Sequence, residues 1–181
     1  MKKLLFSLLI TFLFFNSSNS QELIIGKERI EPGILLIFEG AIKDHVSPNS
    51  MHLEENQTNV HIEARVNWDE KNIPPGAPKG GFIPYLHITA QIINETTKLS
   101  TFIDLTAHIN LIDNFHYARN ISLPGKIDDL YKVKFSIIPP TNIDLAFQKD
   151  WQKKYGEPFF KNSSFTYSNV DFEEIAKASR N

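Results

Sequence analysis

Between Asn59 and Trp68 the chain alternates apolar and polar residues without a break. Val60, Ile62, Ala64 and Val66 fall on one side of an extended segment, and His61, Glu63, Arg65 and Asn67 on the other, because successive side chains of a strand point to opposite faces. That period of two commits the segment to a β-strand with one apolar face. Much of the chain is written in the same idiom. Residues 33–38 form a short continuous apolar run, consistent with a buried strand. Pro74, Pro75, Gly76, Pro78, Gly80 and Gly81 mark residues 70–81 as a loop. Residues 82–94 and 99–105 read as a hairpin joined by Glu95-Thr96-Thr97-Lys98. Residues 117–123 and 130–138 add two strands, split by Pro124-Gly125, and Pro139-Pro140 closes the second because proline cannot continue a ladder. Residues 141–158 read as irregular or briefly helical, with Trp151 as an anchor, and 159–167 as a last strand. The expected fold is all-β: an immunoglobulin-like β-sandwich of seven to eight antiparallel strands over residues 21–170, with a charged, helical or frayed tail over 171–181.

The first twenty residues have another character. Lys2 and Lys3 precede an apolar run over residues 4–15, broken only by Ser7 and Thr11, and Ser18 and Ser20 stand at the −3 and −1 positions of a signal-peptidase site. The run is short for a membrane span. A signal peptide over residues 1–20 and an exported, periplasmic domain are therefore expected.

Composition removes whole classes of chemistry. The formal net charge is −2, and the leader would carry off two lysines and no acid, which argues against nucleic acid as a partner. With no cysteine in the chain, disulfides, thiol catalysis and thiolate metal ligands are all excluded. The sequence shows no Gly-x-Ser-x-Gly elbow and no phosphate-cradling glycine loop. A binding protein is expected, not an enzyme.

What remains is a set of six histidines, at 45, 52, 61, 87, 108 and 116, and beyond the leader one methionine, Met51. A transition-metal site must be built from imidazole, carboxylate and that thioether. His61 and Glu63, two apart on one strand face, can converge on one ion, though an exposed polar face carrying an incidental histidine has the same pattern. His116 opens a strand after a loop and can point a ring nitrogen at a neighbour or merely cap the sandwich. His108 lies in the loop before it and can swing in. His87 reads as a surface residue.

Several stretches, in order, resemble the periplasmic iron-transport accessory proteins. These are copper- and iron-binding β-sandwiches associated with Ftr-type iron permeases, and they include a treponemal lactoferrin-binding lipoprotein. Asn59-Val60-His61-Ile62-Glu63-Ala64 resembles the family's His-x-Glu-Ala strand, and Phe82-Ile83-Pro84-Tyr85-Leu86 its Phe/Trp-x-Pro-Tyr-Leu strand. Phe115-His116-Tyr117 with Asn120 resembles its Pro-His-Tyr-Gly-x-Asn segment. Tyr131-Lys132-Val133 running to Pro139-Pro140, and Pro48-Asn49-Ser50-Met51 upstream, match two further elements.

The resemblance implies an immunoglobulin-like fold, a homodimer, and copper held by His and Met side chains near the subunit boundary. Carried over by position, His61, Glu63 and His116 are metal-site residues, with Met51 and His108 as further candidates. The chain also departs from the family. The Met-x-Met run aligns with Ile103-Asp104-Leu105, which has no sulfur, the loop before His116 is longer, and no histidine follows His116. An all-nitrogen and oxygen site, suited to Cu(II) or Zn(II) more than Cu(I), is expected if His108 supplies the missing ligand. Neutral His61 and His116 with an ionised Glu63 are expected to capture the ion, less well below about pH 6 as imidazoles protonate. The function implied is periplasmic copper or iron binding in support of iron uptake beside an inner-membrane iron permease. The alternative is an interaction module that has lost its metal site.

Overall fold

The fold is described from a computed structural model, over residues 22–179; the expected signal peptide lies outside the described residues. Eight strands form: β1 (Glu22–Ile30), β2 (Ile34–Ala41), β3 (Val60–Trp68), β4 (His87–Asn94), β5 (Ser100–Asn110), β6 (Asn114–Ile121), β7 (Leu130–Ile138) and β8 (Ser163–Asp171), with two short helices, α1 (Lys149–Tyr155) and α2 (Glu173–Lys177). Every pairing is antiparallel. The order is β1-β2-β3-β6-β5-β4-β7-β8.

The all-β class and the strand number agree with expectation. The two separate sheets of an immunoglobulin-like sandwich do not appear as such, because β5 belongs to both halves. Its first residues pair with β4 and its last with β6, so one continuous sheet bends on itself along β5. The sheet nearly closes: at its two edges the Tyr167 hydroxyl of β8 donates to Glu28 Oε1 of β1 at 2.9 Å.

The fold follows from where apolar side chains must go. Val60, Ile62, Ala64 and Val66 are completely buried, as their period of two requires. They face Ile88, Ala90, Ile92, Val133 and Ile137 in a single core, and Phe38 of β2 stacks on Phe135 of β7 with ring centroids 4.1 Å apart. The β1–β2 turn passes through Gly33 at φ 109°, where an added Cβ would lie 2.5 Å from the Asn72 carbonyl oxygen, so only glycine fits.

Several boundaries differ from expectation. The segment 82–86 is not strand: Phe82 makes one isolated bridge to Asn67, and Tyr85 stands at φ 63°, which breaks the ladder before His87. β1, for which nothing was expected, pairs with β2 along its length. Trp151 does anchor its segment, packing against Trp68 and Phe159. The stretch after 170 is not merely charged. Phe172, Ile175 and Ala176 are buried, so α2 docks on the core.

The largest difference lies at β5 and β6. His108 is not in a loop but in the ladder, and the connection is a tight hairpin over residues 111–113. Asn110 shapes it, its Oδ1 accepting the backbone N–H groups of Ile112 and Asp113 at 2.9 and 2.6 Å. Asn94 does the same at the β4–β5 turn, accepting from Thr96 and Thr97. Asn side chains hold such turns by imitating a backbone carbonyl.

Candidate metal centre

Three adjacent strands, β3, β6 and β5, carry the site. Their register sets His61 opposite Asn120, Glu63 opposite Ala118, and His108 opposite His116. Side chains two apart share a face, and neighbouring strands lie about 4.8 Å apart, so polar groups from all three strands converge on the side of the sheet away from the core. Ala118 stands between Glu63 and Thr106 and leaves room for the imidazoles to lean together. Ring centroids are 5.3 Å apart for His61 and His108, 5.8 Å for His108 and His116, and 6.4 Å for His61 and His116. Each of these histidines offers one ring nitrogen such that the nitrogens all lie within 4.8 Å of one another.

The outer face of β3 is not solvated, as an incidental polar face would be. His61 is 3% exposed and Glu63 2%. Residues 42–59, between β2 and β3, lie across it as a strap and help enclose a hollow of about 460 Å³ that reaches His61, Glu63, His108 and His116.

Hydrogen bonds set the tautomers. Asn120 Nδ2 donates to the Asp44 and Leu53 carbonyls at 2.8 and 2.9 Å, so its Oδ1 must face His61 Nδ1, 2.7 Å away. An amide oxygen only accepts, hence His61 carries its proton on Nδ1 and its lone pair on Nε2. His116 Nδ1 lies 3.2 Å from the Asn114 carbonyl and is likewise the donor, which leaves the lone pair on Nε2. This is how outer partners orient metal-ligating imidazoles. His108 Nε2 is 3.2 Å from the Thr106 hydroxyl, which can donate or accept.

Charge in the hollow is suppressed. Burial, reinforced by His61, His52, His116 and Arg119, lowers the His108 pKa to about 3. Burial pushes the Glu63 carboxyl up to about 8, with Asp113, Glu39 and Glu22 adding to the rise and Arg65 opposing it. Burial therefore disfavours the ionised Glu63 expected at the site as long as no cation is there to offset it. Its Oε1 is 3.7 Å from His61 Nε2, while Oε2 is buried with no hydrogen-bond partner. A buried, unsatisfied carboxyl oxygen beside oriented imidazoles fits a cation, because ligation would satisfy that oxygen and favour the ionised form.

Beside Glu63 lies an ionic network on the same sheet face. Arg65 donates to Glu39, directly across from Glu63 in the register, and lies 3.7 Å from Glu22 and 3.8 Å from Asp113. Glu39 is completely buried, and its Oε2 also lacks a hydrogen-bond partner.

Of the residues singled out in the sequence, the structure brings together His61, Glu63, His108 and His116. Met51 stands apart: it is 57% exposed and borders a neighbouring hollow with Ile103 and Arg119. His87 is exposed near Asp104. Sequence reasoning missed the roles of Asn120, Glu39 and His52. His52 lines the same hollow as His61, Glu63, His108 and His116, its ring 5.0 Å from that of His108. Glu39, an acid directly after the apolar run 33–38, was a readable signal; the other two depend on the strap.

The chain is 25% identical over 116 residues to the "34 kDa membrane antigen" of Treponema pallidum, covering 64% of this chain and 55% of that protein; it thus spans about half the length of that relative. Among solved structures it is similar to a copper-bound variant of FetP from uropathogenic Escherichia coli strain F11, with TM-score 0.66 and 23% identity over 82% of this chain and 95% of that one. It is also similar to the copper-reconstituted P19 protein of Campylobacter jejuni, with TM-score 0.67 and 22% identity over 82% and 94%. These likenesses establish the fold. The family described as "Fe2+ transport protein" matches residues 19–174, most of the chain, and the protein belongs to that family.

Proposed function

We propose that the protein is a periplasmic transition-metal-binding protein that takes copper first and serves iron uptake, acting by binding and not as a catalyst. The observation that carries this reading is the meeting of His61, His108 and His116, with a ligand nitrogen of each within 4.8 Å of the others. FetP and P19, which share the fold, were both solved with copper, and the family is one of Fe2+ transport. The exported leader and the pairing with an inner-membrane iron permease, as a homodimer, belong to the same proposal. Among the described residues no helix is long and apolar enough to cross a membrane.

The donor set decides which ion suits. Three imidazoles and a carboxylate contain no sulfur, and nitrogen and oxygen ligands favour Cu(II) or Zn(II) over Cu(I). His61 and His116 would present Nε2, oriented by Asn120 and by the Asn114 carbonyl, and Glu63 would supply an oxygen once ionised. When bound, copper would add one-electron chemistry beside the iron path. The strap and the burial of the ring cluster restrict water, which strengthens each electrostatic contact inside. The alternative, an interaction module whose site has decayed, fits poorly with buried imidazoles whose tautomers are held by dedicated partners.

Calorimetric titration of the purified protein with copper, zinc and iron salts tests the reading. Micromolar or tighter copper binding, abolished in His61→Ala, is the expected result. Binding that survives unchanged in that variant would remove the assignment.

A further inference from the structure

Residues 103–105 are Ile-Asp-Leu and no histidine follows His116, while Met51 is exposed and lines a neighbouring hollow whose wall also includes His52. Yet one more imidazole reaches the cluster. His52 sits on the strap, not on a strand, and lines the same hollow as His61, His108 and His116. Its ring meets that of His108 edge to face at 5.0 Å and 83°. Its Nδ1 is shielded from solvent and has no hydrogen-bond partner, an uncommon state for a buried ring nitrogen, since such groups are nearly always paired.

The strap that carries it is fastened to the site. Asn120, the residue that orients His61, donates one hydrogen bond to the Asp44 carbonyl and one to the Leu53 carbonyl. These two points flank His52, and Leu53 is its chain neighbour. One side chain therefore fixes both the tautomer of His61 and the place of His52 over the cluster. His52 is not among the nitrogens already within 4.8 Å of one another; to join them its ring, already edge-on to that of His108, has to move toward the cluster.

We propose that His52 is the fourth imidazole ligand of this metal centre, delivered by the strap to a cluster that contains no sulfur donor. The inference rests on the copper reading and gives it a specificity: a four-nitrogen site holds Cu(II) well and has no soft donor for Cu(I). It also gives the strap a purpose, since metal binding would lock residues 42–59 down on the sheet.

The test uses Cu(II) chloride as probe and reads both affinity and the number of nitrogens coupled to the copper by electron paramagnetic resonance. In His52→Ala, copper affinity should fall about tenfold or more and the nitrogen count by one, with melting of the metal-free protein unchanged. Met51→Leu should leave both at the wild-type values. His52→Asn, which keeps a polar side chain of similar bulk, gives the same readings should the alanine variant fold poorly. If the nitrogen count and affinity of His52→Ala match wild type while His61→Ala has lost copper, His52 is no ligand although the site stands. Weakened binding in Met51→Leu alone would show that the strap delivers sulfur instead. A wild-type protein that takes up no copper would overturn the inference together with the reading beneath it.

Discussion

At the residue scale, the site works by holding ionisable groups uncharged. Glu63 and His108 are displaced in opposite directions by the same cause, burial, and their effects on the stability of the metal-free protein have opposite signs. The folded chain keeps the Glu63 proton up to about pH 8, against 4.5 for an ordinary carboxyl. Between those values the folded state binds more protons than the unfolded, so stability falls as pH rises. His108 stays neutral down to about pH 3, against 6.5 for an ordinary imidazole, so between those values the unfolded state binds more protons and stability rises with pH. From 4.5 to 6.5 the two largely cancel. The joint contribution of these two groups to the stability of the metal-free protein should therefore be flat there, then decline toward pH 8 with a slope of at most about 1.4 kcal/mol per pH unit from Glu63. In Glu63→Gln that alkaline decline should disappear. An equally steep decline in the variant would mean that Glu63 is not the group responsible.

At the element scale, the β5–β6 hairpin decides whether there is a site at all. Because side chains alternate along a strand, a slip of one residue in β5 would turn His108 to the other face of the sheet. The register that prevents this depends on Asn110, whose Oδ1 takes two backbone N–H groups and whose Nδ2 reaches Asp113 Oδ2 at 2.9 Å. Asn110→Ala should cost about 1 kcal/mol of folding free energy and weaken copper binding more than stability alone explains, since His108 loses its fixed position opposite His116. Denaturant unfolding and copper titration of one preparation check both halves; unchanged affinity would show that the register holds without the turn. The same hairpin was the hardest part to read. Asn94 and Asn110 hold their turns in the same way, but only the first lies between segments with recognisable strand patterns. The apolar pair Leu111-Ile112 at the second tip, 105% and 74% exposed, disguises a turn as something else.

At the scale of the whole molecule, one core supports both halves of the bent sheet, and the stack of Phe38 on Phe135 joins β2 to β7 across it. Phe38→Ala should lose about 3–5 kcal/mol, seen as a lower denaturant midpoint with an unchanged slope. A changed slope would indicate that the halves unfold separately. The histidine-bearing face lies on the opposite side of β3 from this core, so on the proposed function the variant, while folded, should still bind copper.

The amino-acid order alone determined the all-β class, the course of β2, β3 and β7, and the placing of His61 and Glu63 on one face of a strand. Those are consequences of local periodicity and residue type, which need no knowledge of neighbours. The tertiary structure alone decided that the polar face of β3 is buried, that His108 stands opposite His116, that Asn120 aims His61, and that Met51 is outside while His52 is inside. Each depends on which strand lies beside which and on where the strap crosses. Contacts between residues dozens of positions apart set those arrangements, and a period of two carries no record of them.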